Sequence, residues 1–366
     1  MTRVIFRYLF AEALRTWLVV TGVLLFLTLG LGLSRFIGDA AAGELPVDTV
    51  LSLAAFSTVE NLEIVLPVSV LLGVLLTLGR LCRDNEMSAL FAGGAGLGTV
   101  YRPFMTLALI VALIAGALSL FAAPRAERAM ETLGAATATS AIESLSPGRF
   151  RTFLDGDAAF YAERRDDEGN LRNVFIRVER DGEDGEPTET VITADRARQQ
   201  RDEDTRRVTL VLDDGWRYEG RPGRADYRAV QFAEHGVEVA PPAPEVSGDV
   251  ETMSVPMLLA RDGPEAAAEW QTRVSVPISI VILALLALPI GRVPPRAGRY
   301  ARVIAGILFY VIYVNAVHLV AVSVGEGRLP ALLGVWWVHA AVFAVAVALV
   351  MREQGVFAQR HRRARA

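Results

Sequence analysis

The side chains that carry most enzyme chemistry are scarce or scattered in this sequence. All 37 basic residues are arginine and none is lysine. A phosphate-binding P-loop places a lysine on the β- and γ-phosphates, and a Schiff-base enzyme needs an amine, so both routes are closed. Ala92–Thr99, AGGAGLGT, has the glycines of a phosphate loop without its GK[ST] ending and follows no strand. Close packing of small residues against a neighbour is the expectation there. Cys82 stands alone, which excludes an internal disulfide and a cysteine metal cluster. His235, His318, His339 and His361 lie far apart, so no metal or other cofactor is expected. Neither G-x-S-x-G nor HExxH occurs, and no catalytic constellation emerges.

Chemistry of another kind concentrates in Arg80–Arg102, a polar insert between two apolar runs. Asn85–Phe91, NEMSALF, fits a short amphipathic helix, with Met87, Leu90 and Phe91 at helical spacing on one face. Such a helix inserts into a groove on a partner, with Glu86 adding a charged contact. A surface helix solvated by its own acids is the plainer alternative. Arg35, at the far end of the first apolar run, either snorkels to an interface or binds an anionic head group, since a guanidinium grips phosphate through two parallel hydrogen bonds.

These residues are positioned by apolar elements. Hydrophobic residues make up 52% of the chain while charge is segregated. Residues 150–270 hold 28 acidic residues against 16 arginines, and the remainder holds 13 against 21. An acidic soluble block therefore sits inside a basic, apolar frame. A spanning helix needs about 20 apolar residues. Six runs qualify: Trp17–Leu33, extended by Ser34–Ile37; Ile64–Leu81; Phe104–Phe121; Val274–Ile290; Val303–Val324; and Leu332–Met351. Val47–Glu63 is expected to project from the second run into the interface, with a kink at Pro67. Glu60, Glu63, Asn315 and His318 lie in or beside these runs, where polar groups are costly. Fifteen arginines flank one set of span ends, whereas the opposite short loops hold only Arg328, with Arg35 at a helix end. The positive-inside rule then places both termini and Arg80–Arg102 in the cytoplasm and the acidic block outside the inner face.

The acidic block reads as β structure. Alternating runs such as AAFYAER, NVFIRVER and RRVTLVLDDGWRYEG are separated by turn clusters at Asp166–Asn170, Asp181–Gly185 and Asp213–Gly215. The expected fold is an α-helical membrane protein with six transmembrane helices and an inserted all-β, jelly-roll-like domain. Its divisions fall at 1–123, with the short helix near 84–92; 124–270; and 271–366. The proline-rich 240–256 stretch suggests an extended return to the membrane. Phe153, Phe160, Val174, Ile176, Val208, Leu210 and Leu212 alternate toward one face. That face is either a closed core or, if the sheet stays open, an apolar groove for lipid chains.

In sequence order, IFRYLFAEAL, GELPVDTVLSL, LPVSVLLGVLLTLGRL, RDNEMSALFAGGAG, LSPGRF and AEWQTRVSVPISIVILALLALPIGRVPPRAGR run through most of the chain. Taken together they resemble the LptF/LptG permeases of lipopolysaccharide export. The G-E-L-P turn and G-R-L-P loop are more similar to the LptF branch. The resemblance implies a bacterial inner-membrane, non-enzymatic subunit with a periplasmic β domain. It implies a permease that extracts lipopolysaccharide, paired with an LptG-like permease. An LptB-like cytosolic ATPase dimer would drive it, and LptC-like and LptA-like periplasmic proteins would receive the lipid. It assigns Glu86 to the ATPase contact and Arg35 to lipid phosphates; a second basic position of the family is Gly32 here. The alternatives are the LptG-like half, a permease for another lipid, or a membrane-anchored receptor or scaffold.

Overall fold

A computed structural model describes residues 2–42, 47, 49–143, 148, 150–153, 158–181, 187–201, 208–221, 227–238, 250–292 and 299–353. They form a helical unit drawn from both ends of the chain and a β unit drawn from its middle.

Among the described residues, six helical stretches are long and apolar enough to cross a membrane. The first two are α1 (Thr2–Ala42) and α2 (Val50–Arg83). After the short α3 (Glu86–Ala92) comes α4 (Leu97–Ala117), which passes through a π-helical turn at Leu118–Ala122 into α5 (Ala123–Glu143). A 3₁₀ turn at Val250–Thr252 and α6 (Val255–Ala260) lead to α7 (Pro264–Gly291), α8 (Arg299–Gly325) and α9 (Trp336–Glu353). The described part of 240–256 is thus a 3₁₀ turn at Val250–Thr252, a short link at Met253 and the extended Ser254, and the start of α6; the proline-rich residues before it lie outside the described set. α2 continues through Pro67 without a break. At 1.5 Å per residue, its 34 residues run about 50 Å, longer than a hydrocarbon core of about 30 Å.

In lipid, helices associate through close packing and hydrogen bonds rather than hydrophobic exclusion from water. This bundle uses both. A Cβ added at Gly73 would lie 3.2 Å from the Trp17 Cα, so the backbones of α1 and α2 approach closely there. The Trp17 indole N–H donates to Ser69 Oγ at 3.0 Å across the same contact. Gly306 of α8 sits as tightly on Leu75 of α2. α7 is the central element: Ile280, Leu283, Ala284, Ala287 and Leu288 are all fully enclosed. By contrast Leu18, Val23, Phe26 and Leu31 of α1, and Ile304, Leu308 and Ile312 of α8, point out of the unit.

The β unit is one six-stranded antiparallel sheet in sequence order. Its strands are β1 (Arg151–Phe153), β2 (Ala158–Arg165), β3 (Leu171–Asp181), β4 (Pro187–Arg201), β5 (Val208–Gly220) and β6 (Arg228–Glu238). The inserted all-β domain is as expected, and its described strands connect as a meander without Greek-key crossings. The Asp166–Asn170 turn is present, its Asp166 carboxylate accepting the Asn170 N–H at 2.8 Å and the Arg172 guanidinium at 3.0 Å. Most of Asp181–Gly185 lies outside the described residues. Asp213–Gly215, expected as a turn, is instead the middle of β5. Asp213 pairs with Arg196, and Gly215 with Ala194. Glycine is needed there because a Cβ would collide with the Thr193 carbonyl oxygen and the Phe232 ring.

Candidate functional site

The polar insert folds as a helical hairpin elbow. Asn85, at φ 58°, turns the chain out of α2 and into α3. α3 ends in a Schellman motif: the Ala95 N–H donates to Leu90 O at 3.0 Å and the Gly94 N–H to Phe91 O at 3.0 Å, with Gly94 at φ +82°. This corrects the expectation for the glycine-rich tail. Nothing lies within 4 Å of a Cβ built at Gly94, Gly96 or Gly98, so none of them packs closely: Gly94 and Gly96 turn the chain, and Gly98 stands in the first turn of α4.

Met87, Leu90 and Phe91 do share a face, but it turns inward. Met87 is 3% exposed within the chain's own bundle core, in one cluster with Leu81, Val100 and Tyr101. Leu90 and Phe91 pack against that cluster. The apolar stripe therefore caps the end of the bundle and is not an open docking surface. The outward residues of the elbow include Arg83, Asp84, Asn85, Ser88, Ala89 and Ala92.

Glu86 sits at the rim between these faces, its side chain 30% exposed. It takes part in an ionic network. Arg80 reaches Glu86 at 3.1 Å, Glu12 at 3.1 Å and Asp84 at 3.5 Å, and the Tyr8 hydroxyl donates to the Glu86 carboxylate. Asp84 also pairs with Arg83 at 3.1 Å, so two guanidinia serve three carboxylates at a part-exposed surface. Arg80 opens the polar insert itself, but Tyr8 and Glu12 escaped sequence reasoning because they lie on α1, far from α3 in the chain.

A second contact holds the other end of α3. The Arg292 guanidinium lies over the Phe91 ring, 4.6 Å from its centroid. Arg292 also reaches Glu353 Oε2 at 3.5 Å, and the Tyr101 hydroxyl donates to the same oxygen.

The remaining candidates lie elsewhere. Arg35 is exposed on α1, its guanidinium 5.3 Å from the Phe36 ring centroid, and so is free to meet a ligand from outside. In the β unit, Phe160, Val174, Ile176 and Leu210 are 2–6% exposed and belong to one cluster with Leu212, Ile192 and Ala194. Their shared face is packed shut, not an open groove. Phe153 and Val208 fall on strands, but their side chains lie outside the described set.

Another missed feature is a polar chain through the bundle. Ser275 Oγ donates to Gln271 O at 2.7 Å, His339 bridges Ser275 Oγ at 2.8 Å and the Tyr313 hydroxyl at 2.7 Å, and Ser279 meets Tyr313 at 3.0 Å. Because the Ser275 proton is committed to Gln271, His339 Nε2 must donate to Ser275 and its Nδ1 must accept from Tyr313. An apolar cavity of about 530 Å³, lined by Leu109, Pro277, Val281, His339 and Phe343 among others, opens beside it. His318 and Asn315, the polar residues marked in the fifth run, are exposed on α8 instead. Among the described residues no group of three or more His, Cys, Asp or Glu side chains is placed to hold a metal ion.

Comparison with known proteins assigns the architecture. The lipopolysaccharide export system permease protein LptF of Escherichia coli (strain K12) is 27% identical over 348 residues, covering 94% of each chain. Its namesake from Shigella flexneri matches to the same extent. A family model described as lipopolysaccharide export system permease LptF/LptG matches residues 7–352, which include all six membrane-crossing stretches but the first residues of α1 and Glu353, together with the whole β unit. The chain therefore belongs to the LptF/LptG family of lipopolysaccharide export permeases.

Proposed function

We propose that this chain is the LptF-type half of an ATP-driven extractor of lipopolysaccharide, working beside an LptG-like permease in the inner membrane. An LptB-like ATPase dimer docks in the cytoplasm on the rim of α3. LptC-like and LptA-like proteins take the lipid from the β unit in the periplasm. The observation carrying the ATPase contact is the ionic rim itself: Glu12, Asp84 and Glu86 gathered on Arg80 and Arg83 at a surface left part-exposed. Docking then relies on Glu86 and the outward edge of α3, and Met87, Leu90 and Phe91 hold α3 to the bundle from within. The arginine bias at one set of span ends supports the cytoplasmic placement of that rim. Arg35, exposed on α1, meets the lipid phosphates.

Lifting acyl chains from a bilayer costs about 0.8 kcal/mol per exposed CH₂, so an energy source is required. This chain lacks the lysine of a P-loop, which fits nucleotide hydrolysis on a separate subunit. The test is co-purification from native membranes. The unaltered chain should bring down a stoichiometric ATPase, and Glu86→Arg should lose it. A purified permease complex holding no ATPase would refute the proposal.

A further inference from the structure

α3 is held at both ends, and the two holds differ. At its first residue, Glu86 is tied to Tyr8 of α1 and Arg80 of α2. Both helices, like α3, belong to the set that precedes the β unit in the chain. At its far end, the Phe91 ring faces the Arg292 guanidinium, and Arg292 belongs to the set of helices that follows the β unit. Arg292 caps α7, its N–H donating to Pro289 O at 3.4 Å, so the side chain moves with α7. The guanidinium also reaches Glu353, the last residue of α9. Glu353 in turn accepts the Tyr101 hydroxyl from the first turns of α4. One arginine therefore connects α3 to α7 and α9, and through a shared carboxylate to α4.

The chemistry of the contact suits a transmitting element. A guanidinium is attracted to a ring face by the ring quadrupole, and the attraction tolerates sliding within the plane better than a directional hydrogen bond does. The ion pair behind it is about three-quarters enclosed, with Arg292 27% and Glu353 21% exposed, so water screens it incompletely. We infer that Arg292 is a positioning residue for coupling: through the Phe91 ring and the Glu353 carboxylate, it delivers displacement of α3 to α7, α9 and α4. This rests on reading α3 as the ATPase grip, and it assigns the route by which a push on α3 reaches the helices that follow the β unit in the chain.

The test uses the complete transporter, meaning this chain with its permease partner and ATPase, reconstituted in proteoliposomes. Two quantities are read: ATPase retained per permease, and lipopolysaccharide released per ATP hydrolysed. Arg292→Gln should keep the ATPase bound while release per ATP falls by about fivefold or more. Phe91→Leu, which keeps apolar bulk without the ring, should do the same, and Phe91→Tyr, which keeps the ring, should retain at least about half the coupling. The double variant R292Q/F91L should be no worse than either single change by more than about twofold, since both cut one link. Unchanged release per ATP in R292Q would overturn the inference. Equal losses in F91L and F91Y, or losses that multiply in the double variant, would do so too. If R292Q fails to accumulate, the F91L and F91Y pair decides the matter alone. An unaltered complex without ATPase would defeat the reading of α3 itself, a result distinguishable from intact docking with unaffected coupling.

Discussion

Among single residues, His339 and Tyr313 make the sharpest stability prediction. Both are buried, at 4% and 2% exposure, and each completes the other's hydrogen bonding. Tyr313→Phe strands His339 Nδ1 and frees Ser279, so it should destabilise the detergent-solubilised chain by about 1 kcal/mol, the scale of interhelical hydrogen bonds in membranes. His339→Phe should cost a similar amount. Because the two share one network, the double variant should cost less than the sum, which thermal unfolding of the four-member cycle would reveal. Additive losses would mean that the chain of hydrogen bonds is not a unit. His235 of β6 predicts a pH effect outside the membrane spans. Burial first, and then the nearby Arg217, push its pKa below 6.5. The unfolded chain therefore takes up a proton that the folded sheet resists, and stability must fall as pH drops through the ordinary histidine range. Amide protection on β5 and β6 in the full chain should weaken between about pH 7.5 and pH 5.5, and His235→Gln should reduce that loss. Equal pH dependence in both proteins would dismiss His235 as the cause.

Elements show where sequence reasoning holds and where it stops. Hydropathy located the six membrane-crossing stretches because twenty apolar residues have few other soluble fates. Alternation located the strands for a similar reason, since one face of a sheet must be covered. The α3 helix marks the limit. The spacing of Met87, Leu90 and Phe91 announces a buried face, but periodicity is blind to what buries it, and here the chain's own bundle does so. Asp213–Gly215 carries the composition of a turn, yet Gly215 is needed for close approach between strands, a demand visible only with Thr193 and Phe232 alongside. The network of Ser275, Ser279, Tyr313 and His339 is spread over three helices, so no local pattern betrays it. Two glycine substitutions test the element assignments. Gly215→Ala forces a Cβ into a backbone oxygen and should cost about 3 kcal/mol of β-unit stability, read as increased protease sensitivity of the sheet. Gly94→Ala places a side chain at φ +82° in open space, so it should cost only about 1 kcal/mol. Gly94→Asn should be tolerated better than alanine, because asparagine adopts this conformation more readily.

For the whole molecule, the open matter is which side of the membrane each unit faces, and the single cysteine makes it measurable. The proposal puts the α3 elbow in the cytoplasm and the sheet in the periplasm, on the strength of arginines crowding one set of span ends. Ser88 lies exposed on α3 and Arg164 exposed on β2, so each accepts a reporter without disturbing a packed face. With Cys82→Ser as background, Arg164→Cys should react with a membrane-impermeant maleimide added to cells whose outer membrane alone is permeabilised. Ser88→Cys should stay protected until the inner membrane is opened. The reverse pattern would invert the topology and remove the ATPase from α3. The same placement bears on the closed face of the sheet. Phe160 and Ile176 are 4% and 6% exposed, so lipid chains can reach them only if the sheet opens. Opening this cluster exposes apolar surface at about 25 cal/mol per Å², a cost that incoming acyl chains offset by covering the same surface. Photocrosslinkers at these two positions should therefore capture lipopolysaccharide during ATP turnover and not in its absence. Failure to label at either position under turnover would leave the face as a structural core and move the lipid path elsewhere.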